Sequence, residues 1–460
     1  MDHLLMEIFT AFAFGLLGAV LFSGIGLISG TDETTTLAPL TMLVVLLGAP
    51  PSAILSFFIA GAVAKHMTHA VPTALLGIPG DTSAVALIGD ANQLRRLGVP
   101  HIALRKMLSG GALAALIAVP ISIAFAVLLA PFGSVIKQFA PWVFLCAALL
   151  IAYFSAGRWA AMLALIPFVL LIVALQTLTV KYGVKLSVSY FLGIAVAPLI
   201  ASLFSLISPQ AREGMRRDKF RVFSLAPDMK AWSGYFPNPL KVLSPRQARV
   251  TAVSAAVSSA TFVFSPVAMA VVVGEIIGGR IKQAYERVTT VITARNGISE
   301  STYIAETLIP LIAFGLPLSP VAAGPAAPLF NAPPRFSVDA ATGQVNNLHN
   351  LLSVPEFFWY TLMAVVVALL IAYPFAMNYA HRAATFVARK VSHEAVIATF
   401  IGLVLVIGIW EGGVLGLLVI LSIGMLGGFL ERLVGFNIGV QFMGYYTAVL
   451  SVPALLAWLN

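Results

Sequence analysis

Asp81, Thr82 and Ser83 follow the breaker pair Pro79-Gly80 inside apolar sequence, and that placement can do chemistry. All three residue types are good helix N-caps, so capping of the following AVALIGD segment is one reading. The same geometry also builds an anion site. Free N–H groups at a half-helix start, with the dipole behind them, attract a carboxylate. The Thr82 and Ser83 hydroxyls would sit beside that ligand, and Asp81 would repel it unless Asp81 faces a coupling cation. Four more carboxylates, Asp32, Glu33, Glu300 and Glu306, flank the unusual segments. Charge inside a bilayer is expensive, which gives such residues a functional expectation. A carboxylate beside carbonyls suits Na⁺, and one that takes a proton suits H⁺. Taken singly, each fits a surface loop better than a site. Glu306 is the best of them, four residues before Pro310 in apolar sequence. His66 and His69 are spaced to share one helix face. Proton sensing suits that pair better than metal ligation, for which more ligands would be needed. Glu411 and Glu431 read as helix-end residues.

A pattern that occurs twice positions these groups. Residues 70–84, AVPTALLGIPGDTSA, and 308–322, LIPLIAFGLPLSPVA, share P-x-x-x-x-G-[IL]-P. Pro72, Gly77 and Pro79 recur 238 positions on as Pro310, Gly315 and Pro317. Glycine permits positive φ and proline lacks an N–H donor, so each copy breaks its helix. In lipid, backbone opened this way must be satisfied by protein or by a water-filled cavity. Broken helices at matching positions in two halves point to a transporter site. The residues assigned to substrate are Gly77, Pro79, Gly80, Thr82, Ser83, Gly315, Pro317 and Ser319. Those assigned to ion coupling are Asp81, Asp32 and Glu306. The second copy has Leu318 and Pro320 where the first has small polar neighbours, so the expected site is chemically asymmetric.

The 460 residues are 60% hydrophobic and only 10% charged, against about 25% charged in soluble domains. The fold class is an all-α polytopic membrane protein, with apolar sequence for roughly 10–13 transmembrane helices. The start, MDHLLME, has no basic leader, so the first apolar run reads as a retained helix. One cysteine, Cys146, precludes an intramolecular disulfide and a cysteine metal site. The formal net charge of +9 lies mostly in loops between apolar runs. Positive-inside topology explains it without nucleic acid. Residues 208–250 carry nine basic residues against three acids, interleaved with aromatics. They read as a cytoplasmic loop lying on the anionic inner leaflet. The expected organisation is a membrane repeat at 1–207 with broken segment 70–89, the basic loop 208–250, and a second repeat at 251–460 with broken segment 308–330. The loop after the first copy is basic and the loop after the second is not, as inverted-topology repeats would produce. One conflict stands out. A single crossing at 251–278 would put Arg280, Lys282 and Arg287 outside, so an extra half-crossing is expected there. No Walker-type loop and no hydrolase constellation occurs.

The two blocks resemble the large membrane subunit of the tripartite tricarboxylate transporter family, the TctA type. Pro79, Gly80, Asp90, Leu94 and Gly98 fall where that family shows an N-I-P-G-T-P-like turn followed by D-G-x-x-L-x-x-x-G. Leu308, Pro310, Leu311, Gly315 and Pro317 resemble its second motif, and GPAAPLF its Pro-rich G-x-x-P-G-P-L-x-F. The chain departs from the pattern at Gly77 (usually Asn), Asp81 (usually small and polar) and Leu318 (usually Gly), and the SGIGLISGTDETTT region lacks the family's P-G-x-x-G. The resemblance implies a secondary carrier, not an enzyme, importing tricarboxylates or dicarboxylates across a bacterial inner membrane. It implies Na⁺ or H⁺ as coupling ion and no cofactor. It also implies a small four-helix membrane subunit and a periplasmic solute-binding protein as partners. Two rival readings are a non-transporting scaffold docking partners through 208–250 and a membrane enzyme acting on lipid carriers. The scattered His66, His69 and His381 argue against the enzyme.

Overall fold

The structure, a computed structural model, describes residues 2–155, 157–183, 186, 188–200, 234–262, 264–332, 335–339, 344–391 and 393–459. The helices of the first half are α1 (Asp2–Ile25), α2 (Glu33–Leu46), α3 (Pro51–Val71), α4 (Ile88–Arg96), α5 (Pro100–Leu129), α6 (Ala140–Phe154), α7 (Trp159–Lys181) and α8 (Val188–Ala195). Those of the second are α9 (Pro245–Ser258), α10 (Pro266–Gly279), α11 (Ala284–Ala313), α12 (Val354–Lys390), α13 (His393–Val434) and α14 (Ile438–Tyr446). A two-stranded antiparallel ribbon, Ser337–Asp339 with Gln344–Asn346, is the strand structure among the described residues. The protein is therefore an all-α polytopic membrane protein. Seven helical stretches among the described residues are long and apolar enough to cross a membrane. The helix α13 is interrupted at Gly412 and Gly413, whose dihedrals are not helical.

Two helices form the middle of the protein. The helix α3 packs along α1 and α12, and α11 along α5. Every residue of α3 from Ser52 to Val71 is buried, as is every residue of α11 from Val288 to Ala313. Yet α11 carries Arg295, Asn296, Glu300 and Glu306. A 30-residue helix is about 45 Å long. With polar groups along that length it stays in the membrane only because α3, α5, α9 and α10 surround it.

The expected half-crossing near 251–278 is resolved as a hairpin. Each arm, α9 and α10, has 14 residues, about 21 Å, short of a hydrocarbon core of about 30 Å. The first arm starts beside Arg246, and Arg246 pairs at 3.0 Å with Glu286, beyond the end of the second arm. Arg246, Arg249 and Arg280 line one groove. Both basic ends therefore lie on one side, and 251–278 is not a single crossing.

Candidate functional site

Each glycine of the repeated pattern occupies a left-handed cap. After α3 the chain makes a widened turn at Pro72–Leu76, ended by Gly77 at φ +71. Pro72 has no N–H to give, and the Thr73 hydroxyl bridges the opening. It donates to the His69 carbonyl at 2.8 Å and accepts from Gly80 N at 3.2 Å. Ser29 donates to the Pro79 carbonyl at 2.5 Å, and Gly30 N donates to the Gly80 carbonyl at 3.0 Å. The opened backbone is thus satisfied by the end of the first span. A Cβ on Gly80 would lie 2.6 Å from His69 Cβ and 2.7 Å from the His69 carbonyl, so glycine is needed for the close approach.

Beneath this turn lies a buried charge lattice. Lys65 Nζ, fully buried on α3, lies 3.4 Å from Glu33 Oε1 and 3.3 Å from Asp81 Oδ2. His66 bridges Glu33 at 3.2 Å and Glu300 of α11 at 3.0 Å. His69 meets Asp81 Oδ2 at 2.7 Å. The two imidazoles are 5.4 Å apart, on the shared face that the spacing implies. Glu33 and Glu300 are buried at 4% and 2% exposure, so the surface-loop expectation for these carboxylates fails. Lys65 faces two carboxylates, Glu33 and Asp81, and His66 carries the lattice on to a third, Glu300. In the sequence Lys65 merely precedes the first broken segment, and nothing in its own position pairs it with Glu33 or Asp81.

Asp81 belongs to this lattice and is not free. Its Oδ1 accepts from the Ser83 hydroxyl at 2.7 Å and from Ala84 N at 3.1 Å. The segment after it opens with a single tight turn, Ser83–Leu87, before α4. The expected half-helix anion site therefore has its nearest N–H already capped by Asp81. The capping reading describes this stretch better.

The second break is built differently. Pro310 sits in the last turn of α11, and Gly315, at φ +67, donates to the carbonyls of Pro310 and Leu311. Asn347 donates to the Gly315 and Phe330 carbonyls at 2.9 and 3.0 Å. Ser319 caps the short helix Pro320–Ala323, accepting from Ala322 N at 3.0 Å and donating to the Glu306 carbonyl at 2.7 Å. The Glu306 carboxylate, fully buried, accepts from Val321 N at 3.0 Å through Oε2. Its Oε1 has no partner among the described residues.

Between the two breaks is a cavity of about 260 Å³. Asp32, Thr82 and Ser83 line it from the first half, and Pro320 and Val321 from the second. Asp32 caps α2, accepting from Thr34 N at 2.9 Å, and takes the Thr82 hydroxyl at 2.7 Å on its other oxygen. Gly77, Pro79, Gly80, Asp81, Gly315, Pro317, Ser319 and Glu306 do not line the cavity; of these, Asp81 and Glu306 hold wall residues, through Ser83 and Val321 N, and Ser319 caps the helix that carries Pro320 and Val321. Sequence reasoning named Glu33 only as a flanking carboxylate, and it missed Tyr303, Glu431 and Asn437 as lining residues. Glu431, taken for a helix-end residue, is on the wall with Oε2 unpartnered. So is Tyr303, 3% exposed, whose hydroxyl has no partner among the described residues. Among the described residues the wall holds three acids (Asp32, Glu33, Glu431) and no lysine, arginine or histidine.

Two further assemblies frame the site. Arg295 of α11 pairs with Asp90 of α4 at 2.7 Å and with Glu275 of α10 at 2.5 Å, tying the first break's exit to the hairpin. Glu411, at the α13 break, accepts from the backbone N and hydroxyl of Ser189. Of the basic loop expected at 208–250, residues 208–233 lie outside the described residues.

Glu33, His66 and Asp81 bring ligand atoms within 4.8 Å of one another, close enough to hold a metal ion. Lys65 Nζ already stands against two of those three carboxylate and imidazole groups, so the protein supplies its own cation there.

No curated protein matches the chain, and no solved structure does. A family model described as "Tripartite tricarboxylate transporter TctA family" matches residues 12–440. With nearly the whole length covered, the chain belongs to that family of transporter membrane subunits.

Proposed function

We propose that the protein is the permease subunit of a secondary carrier that imports a carboxylate together with a cation across a bacterial inner membrane. The carrying observation is the cavity where both broken segments meet, with Thr82 and Ser83 on one wall and Pro320 and Val321 on the other. Unwound segments meeting at one cavity are where transporters hold substrate. The two segments read as corresponding parts of inverted repeats, 1–207 and 251–460, moving against each other in alternating access.

The acidic wall bears on coupling. A carboxylate substrate entering beside Asp32, Glu33 and Glu431 meets like charge, which a low-dielectric site makes costly. A co-bound cation removes that cost and makes the two ligands bind together. The lattice favours the proton in this role. Lys65 occupies the place a metal ion would take, while His66 and His69 each face a carboxylate. A small membrane subunit and a periplasmic solute-binding protein would deliver the substrate.

The test is uptake of labelled carboxylates by proteoliposomes, with imposed H⁺ or Na⁺ gradients, with and without the partner subunits. The reading expects accumulation driven by the H⁺ gradient, and weakened uptake in Thr82→Ala and Ser83→Ala with expression unchanged. Unaltered uptake in both variants would remove the substrate assignment, and accumulation driven by Na⁺ alone would remove the proton.

A further inference from the structure

The hairpin α9–α10 carries a groove that transport chemistry does not use. Its volume is about 380 Å³, and its wall is Val250, Val253, Val257, Val273 and Ile277. Val253 and Val257 are each 60% exposed. At the groove's end stand Arg246 and Arg249 from the start of one arm and Arg280 from just past the end of the other. Arg246 is engaged by Glu286 at 3.0 Å. Arg249 and Arg280 are both exposed and form no ion pair or side-chain hydrogen bond among the described residues.

We propose that this groove is a binding site for an anionic glycerophospholipid, whose phosphate sits between Arg249 and Arg280 and whose acyl chain lies along the valines. The shape sets the occupant. A soluble anion would use the arginines and leave the apolar wall uncovered, and a zwitterionic lipid would bring a cation toward two arginines. From Arg249 to Val257 the arm runs about 12 Å, so a head held at the arginines places its chain within the hydrocarbon. Guanidinium groups bind phosphate through paired N–H donors, and basic pockets between membrane helices select anionic head groups. Because the hairpin is too short to span, a lipid filling the groove also completes its packing.

The experiment uses the full chain purified in mild detergent, titrated separately with phosphatidylglycerol and phosphatidylcholine, and read by native mass spectrometry and by thermal unfolding. The expected result is retention of phosphatidylglycerol roughly tenfold or more over phosphatidylcholine, from two arginine contacts at the surface. Phosphatidylglycerol alone should raise the unfolding temperature. In Arg249→Gln/Arg280→Gln the selectivity should vanish while the variant elutes and melts like the unliganded parent. Arg249→Lys/Arg280→Lys, which keeps charge and loses the paired donors, should retain part of it. Equal retention of both lipids, or selectivity surviving the glutamine pair, would overturn the site. Displacement of the lipid by millimolar inorganic phosphate would overturn the lipid as occupant.

Discussion

The two broken segments share a backbone plan and differ in how they handle a buried carboxylate. At the first, Asp81 is locked by Lys65, His69, Ser83 and the Ala84 N–H. The turn itself, at Ile78 and Pro79, is exposed. At the second, Glu306 has one backbone donor and one unpartnered oxygen, and the turn from Gly315 to Pro317 is wholly buried. The first break is thus an ion-paired structure open to one surface. The second is a packed structure without an ion pair, with one carboxylate oxygen unpartnered. The difference follows from what precedes each motif. The helix α3 brings Lys65, His66 and His69 to the break, while the corresponding turns of α11 bring Tyr303 and Glu306 without a cation.

If that contrast is right, removing the cation should do the greatest damage. Lys65→Met keeps the length of the side chain but strands Glu33 and Asp81 in a fully buried site. Breaking a buried pair from one side costs about 3–5 kcal/mol. We predict loss of folded protein or a large fall in unfolding temperature, measured by fluorescence-detected size exclusion after heating. Lys65→Met/Asp81→Asn should recover part of that loss, because the double variant leaves fewer uncompensated charges. A Lys65→Met protein that melts like the parent would show that the lattice carries no stability.

The two glycine-dependent turns give a smaller, differential effect. In Gly80→Ala the new Cβ meets the backbone of His69, which has no room to rotate away. Overpacking of this kind costs about 1–3 kcal/mol. In Gly315→Ala the φ of +67 costs about 1–2 kcal/mol, and the new Cβ meets side chains, Val345 at 2.8 Å and His349 at 3.0 Å, which can give where the His69 backbone cannot. Thermal unfolding should rank Gly80→Ala below Gly315→Ala. The reverse order would mean that the first turn is the looser of the two.

Much of this was legible from residue types. Pro72, Gly77, Pro310 and Gly315 announce helix breaks because their backbone chemistry is local. Thr82 and Ser83 lie on the cavity because they follow the first break, and Asp32 because it takes the Thr82 hydroxyl from 50 positions away. The lattice was not legible, because it joins α2, α3 and α11 across more than 200 positions of sequence, as the Glu300–His66 contact shows. Nor was Glu431, whose place on the wall depends on how α13 and α14 pack against the first half. The hairpin at 251–278 was half legible: its charges demanded a return to the same side, but hydrophobicity alone does not distinguish a crossing from a re-entrant pair.

Glu306→Gln separates support from coupling at the second break. Glutamine can offer the same carbonyl oxygen to Val321 N and place its amide where Oε1 now has no partner. The lost interaction is therefore small, and we predict a change in stability below about 1 kcal/mol. Glu306→Ala, which orphans the Val321 N–H and leaves a hole, should cost about 2–4 kcal/mol. Transport is where glutamine tells more. If Glu306 exchanges a proton as the cavity changes its opening, Glu306→Gln abolishes accumulation driven by an H⁺ gradient while the protein still binds substrate and melts normally. If accumulation persists at the parent rate, Glu306 serves only to hold the Ser319–Ala323 turn. The two breaks would then divide the labour, with the first carrying the charged lattice and the second acting as its rigid counterpart.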